Sequence, residues 1–425
     1  MQLLLKKVRI VAPHTSFHHQ IRDMLISDGH IREIAADIAP SADDKIIEAE
    51  DLHVSAGWMD VFADFCDPGL EYKEDLRSGS RAAAAGGFTT VMIVPNTQPC
   101  LQSKPQIEYI RQTTRDLPTE IIPIGALSKD IAGQSLAEMY EMHLSGAVAF
   151  SDGLQPVQSS GLLLKALQYV KAFNGVIIQV PDDRSVSHHG LMNESIQSTL
   201  LGMPGIPSLA EELLVQRDIE LARYTESHIH FTGISTQKSV ALIAHAKERG
   251  ISVSCSVTPY HLLLTDEELH GYDSNLKVTP PLRTADDVEA LRKAVANGTI
   301  DCIATHHRPQ DWDSKHKEFE YTEDGMIGLE SCFGVLNKAL PELPLERKIA
   351  LLSDNPRKIF GLPPITIAAG SKANLTLFQP AKEWTFSEQY VRSKSKNSPF
   401  FGTAMTGKPA GIIQHTHFVW NEPSL

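Results

Sequence analysis

At 425 residues the chain is long enough for one large domain with a smaller satellite, and 42% hydrophobic with 21% charged residues is typical of a globular protein. The formal net charge of −13, without any run of Lys and Arg, argues against a nucleic-acid binder, which needs a basic face. No apolar stretch approaches the ~18 residues of a membrane span, so we expect no membrane association.

The cysteines indicate the redox environment. The chain has five, at positions 66, 100, 255, 302 and 332, an odd number at wide spacings and without any C-x-x-C pair. This pattern is typical of a reducing compartment and gives no sign of a structural zinc finger. The start, MQLLLKKVRIVAP, has too short an apolar run for a signal peptide, so we predict a cytoplasmic protein.

Both ends of the chain have a β-like character. Residues 1–55 and 362–425 contain short β-like pieces broken by Pro, Gly, Ser and Asn, such as 373–378 and 411–414. Neither end can bury a sheet face alone. The simplest prediction is that the two ends pair into one small β-sandwich.

The segment between the ends predicts a barrel. About eight runs with strand character recur at spacings of ~25 to 50 residues, the rhythm of a (β/α)8 barrel. Helical patterns fill the gaps; Ser208 with Glu211 predicts a capping box that opens one helix, and Gly250 and Gly298 are expected to end two others. The predicted strands are 58–63, 89–94, 121–126, 147–150, 176–180, 228–231, 251–257 and 300–304.

One segment resembles a known family. Residues 71–99, EYKEDLRSGSRAAAAGGFTTVMIVPNTQP, closely resemble bacterial class I dihydroorotase, and residues 393–400, SKSKNSPF, are similar to that family's closing loop. The resemblance implies an α/β fold with a (β/α)8 TIM-like barrel of the metal-dependent amidohydrolase type at 56–361. It also implies a small β-sandwich formed by 1–55 and 362–425. In that family, one or two zinc ions hold the hydroxide that opens the dihydroorotate ring.

The same resemblance assigns residues of this chain to the family's zinc ligands. Phe62 and Asp64 stand at the His-x-His pair, Gln179 at the strand-five histidine, Gly233 at a strand-six histidine, and His306 at the strand-eight aspartate that is also the general base. Without a metal to lower the pKa of water from 15.7 to roughly 7, a site loses nearly all its nucleophile at neutral pH. We therefore expect no zinc, no other cofactor and no catalytic residue.

Further positions concern the substrate. The resemblance implies that Asn96, His261 and Arg283 are remnants of the substrate-binding set, although a structural hydrogen-bond role for His261 is the favoured alternative. Cys66 stands where the family has the arginine that grips the substrate carboxylate, and Thr279 where it has an asparagine. Cys66 has no clear general-base partner, which disfavours a nucleophilic role.

A rewired metal site is the main alternative. Asp64 and His306 exchange the family's ligand types, and Asp152 could add a third oxygen donor. Imidazole and carboxylate both suit a divalent ion. The doublet His188–His189 lies in a loop-like stretch and is interpreted as a pair of solvated histidines.

Three hypotheses follow. The leading one is a dihydroorotase-like protein of pyrimidine biosynthesis that is non-catalytic and acts as a structural partner. The resemblance implies aspartate transcarbamoylase as the candidate partner, and we expect that complex or a homo-oligomer. The alternatives are a cyclic amidohydrolase with the rewired single-metal site and dihydroorotase activity by an unforeseen arrangement.

Overall fold

A computed structural model describes residues 2–421 of the chain. Within that range no helix has both the length and the apolar character needed to cross a membrane. The strands are β1 Gln2–Val11, β2 Ile21–Ser27, β3 His30–Ala35, β4 Lys45–Ile47, β5 His53–Ala56, β6 Trp58–Ala63, β7 Phe88–Ile93, β8 Glu120–Pro123, β9 Ala149–Phe150, β10 Val176–Gln179, β11 Met192–Asn193, β12 Gly205–Ile206, β13 Ile229–Phe231, β14 Val253–Val257, β15 Cys302–Ile303, β16 Asn374–Thr385, β17 Ala404–Gln414 and β18 His417–Trp420.

Helices fill the connections between the central strands. Short 3-10 helices occur at Lys129–Ile131, Tyr260–Leu262, Asp266–Gly271, Ser274–Leu276 and Phe319–Tyr321. The α-helices are α1 Leu76–Ala85, α2 Lys104–Thr113, α3 Met139–Leu144, α4 Ser160–Lys171, α5 Arg184–Ser187, α6 Ile196–Leu201, α7 Leu209–Thr225, α8 Gln237–Glu248, α9 Ala285–Asn297, α10 Trp312–Lys315, α11 Cys332–Ala339, α12 Leu345–Leu352 and α13 Asp354–Ile359.

The eight predicted barrel strands are all present as β6, β7, β8, β9, β10, β13, β14 and β15. They pair in parallel in two groups, β6 to β8 and β9 to β15. Two isolated bridges, Gly125 with Phe150 and Ala63 with His307, join the groups into a ring. The barrel prediction is therefore confirmed, and its sequence signal was the apolar runs that parallel strands need when both faces are buried.

The barrel strands alternate between two cores. Ile178 packs in an inner cluster with Phe62 and Val94, whereas its neighbour Ile177 packs in the outer cluster with residues of the surrounding helices. This period of two follows from the opposite directions of successive side chains in a strand. A side chain at a strand end therefore reaches the barrel mouth only if it lies on the inward face.

The two ends of the chain meet in one sheet. β5 from the N-terminal segment pairs with β16 from the C-terminal segment, in the order β18-β17-β16-β5-β1-β2-β3, with β4 beside β1. The sheet buries its own apolar cluster, which includes Leu3, Ile26 and Leu375. Pairing of the ends was predicted correctly, and all these strands are connected in one continuous sheet. The division of the chain at 55/56 and 361/362 stays a prediction.

The helix boundaries were predicted better than one of the caps. α8 and α9 end near Gly250 and Gly298, which have φ of +73° and +86° as expected of C-terminal glycines. α7 begins after Ser208 as predicted, but Ser208 makes no side-chain cap hydrogen bond. The capping-box prediction was wrong because the Glu211 carboxylate accepts hydrogen bonds from Ser235 instead, 24 residues further along the chain.

Candidate functional site at the barrel mouth

Phe62 and Asp64 end the first barrel strand. Phe62 is buried, and its ring centroid lies 4.6 Å from that of His306, which follows the neighbouring last strand of the barrel. Asp64 is also buried, and its Oδ1 accepts a hydrogen bond of 2.9 Å from the Cys66 amide. Burial raises the pKa of the Asp64 carboxyl, while this hydrogen bond opposes the rise. The first strand therefore contributes one hydrocarbon ring and one carboxylate held by its own turn.

His306 is packed as a neutral ring. Its Nε2 lies 2.8 Å from Thr232 Oγ1, and its backbone has a φ of +46°. Burial lowers the pKa of His306 to about 3, with smaller effects from His261 and Arg308. The charged imidazolium is disfavoured because the ring is out of water.

Gly233 lies against this ring. A Cβ at Gly233 would stand 2.6 Å from His306 Cε1, and the residue has a φ of +70°. Such a distance is far below van der Waals contact. The imidazole of His306 therefore occupies the space that a side chain at position 233 would need.

Asp152 and Asn96 lie together, and their side-chain polar atoms are hydrogen-bonded within the protein. Asp152 accepts hydrogen bonds from Ser128 at both oxygens, 2.8 Å from the amide and 2.5 Å from the hydroxyl. Asn96 donates to the Asp152 carbonyl and accepts from the Leu154 amide. A Cβ at Gly153 would lie 1.8 Å from Asn96 Oδ1, so the amide fills the space beside the glycine.

Gln179 does not belong to the mouth, which corrects its assignment as a site position. Its side chain hydrogen-bonds the backbone of Val157 and lies 3.3 Å from Asp218 of α7, on the outward face of β10. The next residue, Val180, packs in the inner cluster with Phe62. The period of two in a strand makes an alignment error of one residue reverse the facing. Val180 is the residue that strand five presents to the mouth.

The rewired metal site is not assembled. Within residues 2–421, only one group of three or more His, Cys, Asp or Glu has ligand atoms all within 4.8 Å of one another, and it lies outside the barrel mouth. Asp64, Asp152 and His306 are therefore not gathered around a common point. The reason is local: Asp152 faces Ser128 on the neighbouring loop, and His306 bonds Thr232.

Little space remains between these side chains. The cavity at the mouth offers about 10 Å³ to the centre of a water molecule, about what a single water requires. Arg308, which was not among the predicted site residues, also lines this cavity. The lining residues are Phe62, Asp64, Val94, Leu154, Tyr260, Val278, Thr279, His306, His307, Arg308 and Gly325.

The residues assigned as substrate-binding remnants have protein partners. His261 is buried, with Nδ1 2.8 Å from Thr258 Oγ1 and Nε2 3.1 Å from the Pro280 carbonyl oxygen. Arg283 is 2% exposed and donates hydrogen bonds to the side chains of Ser235 and Asn193 and to the Ile206 carbonyl. These contacts agree with the structural alternative for His261.

Cys66 and the histidine doublet can also be placed. Cys66 is buried beside Asp64, and burial raises the pKa of its thiol, with the Asp64 charge adding to the rise. A thiolate, which is the nucleophilic form, is therefore disfavoured. His188 and His189 lie on the surface directly after α5, as predicted.

His306→Asn is expected to change the pH dependence of stability. The pKa of His306 is about 3 in the folded chain and near 6.5 in the unfolded chain, so its stabilising effect is complete above pH ~6.5 and is lost as the pH falls. Between about pH 7 and about pH 5, the wild type should lose about 2 kcal/mol more unfolding free energy than the variant. Urea denaturation at both pH values measures the difference, and parallel losses would contradict the assignment.

Comparison with known proteins places the sequence. The family model described as Dihydro-orotase-like matches residues 54–239. A dihydroorotase of Citrifermentans bemidjiense is 41% identical over 411 residues, covering 96% of this chain and 97% of the relative. A dihydroorotase of Caldicellulosiruptor saccharolyticus is 41% identical over 418 residues, covering 97% and 96%.

Solved structures resemble the fold. The L-hydantoinase (dihydropyrimidinase) of Arthrobacter aurescens superposes with a TM-score of 0.85 at 24% identity, covering 98% of this chain and 96% of that one. The dihydropyrimidinase of Brevibacillus agri gives a TM-score of 0.83 at 19% identity, covering 99% and 95%. At these identities the likeness concerns the fold alone, a barrel of the amidohydrolase type.

Proposed function

This chain belongs to the dihydroorotase family, and from that premise we propose that it is a non-catalytic dihydroorotase-like protein of pyrimidine biosynthesis that acts as a structural partner. The observation that carries the proposal is the filled barrel mouth. Phe62 and Gly233 offer no side-chain donor, and the His306 ring occupies the space beside Gly233.

The zinc that the family resemblance implies does not fit these residues. A catalytic zinc ion is held by about three protein ligands, and a fourth position stays open for water or substrate. Here Asp64 is held by the Cys66 amide, Asp152 is held by Ser128, and His306 bonds Thr232. No hydrolytic step through a metal can be built on this set.

The remaining groups do not replace the metal. A general base works best with a pKa near the working pH, and the pKa of His306 is lowered by burial to about 3. The Cys66 thiol is held in its neutral form by burial. The cavity also has room for about one water rather than for a substrate ring.

An exposed apolar surface supports the partner role. Ile196 and Leu200, one turn apart on α6, are 77% and 69% exposed, and Tyr272, whose hydroxyl bonds the end of α6, is 48% exposed. Adjacent exposed apolar side chains of this size mark interaction surfaces. We call Ile196, Leu200 and Tyr272 the α6 patch, and we propose that it contacts aspartate transcarbamoylase or a second copy of this chain.

Aspartate transcarbamoylase is expected to co-purify with this protein from its native cell. Changing both Ile196→Glu and Leu200→Glu should weaken the complex at least ~10-fold, because a charge would be buried in an apolar contact. Size-exclusion chromatography with light scattering measures the assembly. Leu144→Glu on α3 is the matched control, since Leu144 is 63% exposed but lies on another helix.

Two outcomes would contradict the partner role. One is a monomer without bound transcarbamoylase; the other is normal transcarbamoylase assembly after deletion of the gene.

All five cysteines are free, which supports the proposed cytoplasmic location.

A further inference from the structure

A cluster of metal-binding side chains lies outside the barrel mouth, between a loop of the terminal sheet and a helix of the barrel. His18 and His19 are in the loop between β1 and β2, and Glu346 is in the first turn of α12. One ligand atom from each lies within 4.8 Å of the other two. We propose that His18, His19 and Glu346 bind one divalent transition-metal ion, by their chemistry Zn²⁺, which clamps the terminal sheet to the barrel.

The spacing already approaches that of a metal site. His19 Nε2 lies 3.1 Å from Glu346 Oε1. Two ligands placed ~2.0–2.1 Å from a tetrahedral zinc are roughly 3.3 Å apart. The ring centroid of His18 lies 3.7 Å from that of His19, and one ring nitrogen of His18 lies within 4.8 Å of both other ligand atoms.

A second, independent observation at His18 points to a bound ion. Its Nδ1 is buried and has no hydrogen-bond partner, whereas nearly all buried polar atoms in proteins are paired. A simple ion pair between His19 and Glu346 would leave this nitrogen unexplained. A metal ion at the cluster gives the His18 ring a partner.

The backbone brings the two rings together. His19 has a φ of +62°, a left-handed conformation that is uncommon outside glycine. Successive side chains of an extended segment would point in opposite directions. The left-handed turn instead sets the rings of His18 and His19 side by side, and strained backbone of this kind concentrates at functional sites.

The donor set selects the class of ion. Two imidazoles and one carboxylate suit Zn²⁺, Co²⁺ or Ni²⁺ and do not suit Ca²⁺ or Mg²⁺, which prefer all-oxygen ligands. The carboxylate of Glu346 is favoured at the positive end of α12. The Arg9 guanidinium donates a hydrogen bond to the His19 carbonyl, so a positive charge also lies close to the cluster. Three protein ligands leave a fourth position for water.

Equilibrium dialysis of the untagged full-length chain against Zn²⁺, and then against Co²⁺ with its visible spectrum, tests the site. We expect one ion per chain and a Co²⁺ spectrum of tetrahedral intensity. His18→Ala, His19→Ala or Glu346→Gln should each weaken binding at least ~10-fold. Glu346→Gln preserves the shape of the side chain, and circular dichroism checks that each variant is folded.

The second doublet supplies the matched control. His188 and His189 also have ring centroids 3.7 Å apart, but no third ligand joins them within 4.8 Å among the described residues. His188→Ala with His189→Ala should leave zinc binding unchanged. Absence of binding, or equal loss from both doublets, would overturn the proposal. Loss of the ion in Asp64→Ala or His306→Ala would place it at the barrel mouth, overturning this inference and the non-catalytic function together.

Discussion

The purified protein is expected to hydrolyse dihydroorotate at the uncatalysed rate. Ordinary enzymes accelerate their reactions by at least ~10⁶-fold, and in this family the resemblance assigns that acceleration to metal-bound hydroxide. Phe62 and Gly233 supply no ligand, and the pKa of His306 is too low for a base at neutral pH. A steady-state assay of ring opening, with and without added zinc or manganese, measures the rate.

Partial repair should not restore activity. Phe62→His with Asp64→His is expected to stay at background, because positions 233 and 306 would still lack the family's ligand and base. The dihydroorotase of Citrifermentans bemidjiense, a relative at 41% identity, is the positive comparison in the same assay. Turnover of the unmodified chain approaching ~1 s⁻¹, the low end of ordinary enzymes, would rule out the non-catalytic proposal.

Gly233→His, which restores a family ligand type, is expected to lower the free energy of unfolding by about 2–5 kcal/mol. The new Cβ would stand 2.6 Å from His306 Cε1, and a side chain at a φ of +70° adds backbone strain. Urea denaturation measures the loss. The double change Gly233→His with His306→Asp should recover part of it, because the smaller side chain frees the space of the ring.

Gly250→His separates the two causes of this loss. Gly250 has a φ of +73°, nearly that of Gly233, but nothing lies within 4 Å of its Cβ position. The Gly250→His variant should therefore lose only the unfolding free energy that backbone strain costs, about 1–2 kcal/mol. Equal losses at the two positions would show that the His306 ring does not fill the space beside Gly233.

The sequence was sufficient for the architecture. The eight barrel strands could be placed because each buries both faces and so appears as a short apolar run. Pairing of the two ends followed because neither could bury a sheet face alone. The chemical identity of Phe62 and Gly233 also needed no structure, since neither side chain can ligate a metal.

The direction of a side chain and its hydrogen-bond partner could be read only from the tertiary structure. Gln179 was placed in the site although it faces α7, because one residue of misalignment reverses the direction of a strand side chain. Glu211 does not form the expected cap with Ser208; its carboxylate accepts a hydrogen bond from Ser235, which is distant in sequence. Hydrogen-bond choices of this kind depend on which segments the fold brings together.

The sequence by itself determined the barrel, because its strands and helices follow periods of two and 3.6 residues, and it determined the chemistry of single positions. The resemblance of residues 71–99 to dihydroorotases indicated the family. Only the tertiary structure decided that His306 fills the space beside Gly233. It alone decided that the ligand atoms of Asp64, Asp152 and His306 do not all lie within 4.8 Å of one another, and that His18 and His19 meet Glu346. Each of these is a distance between segments remote along the chain, and such distances are set by packing of the whole fold rather than by any local pattern.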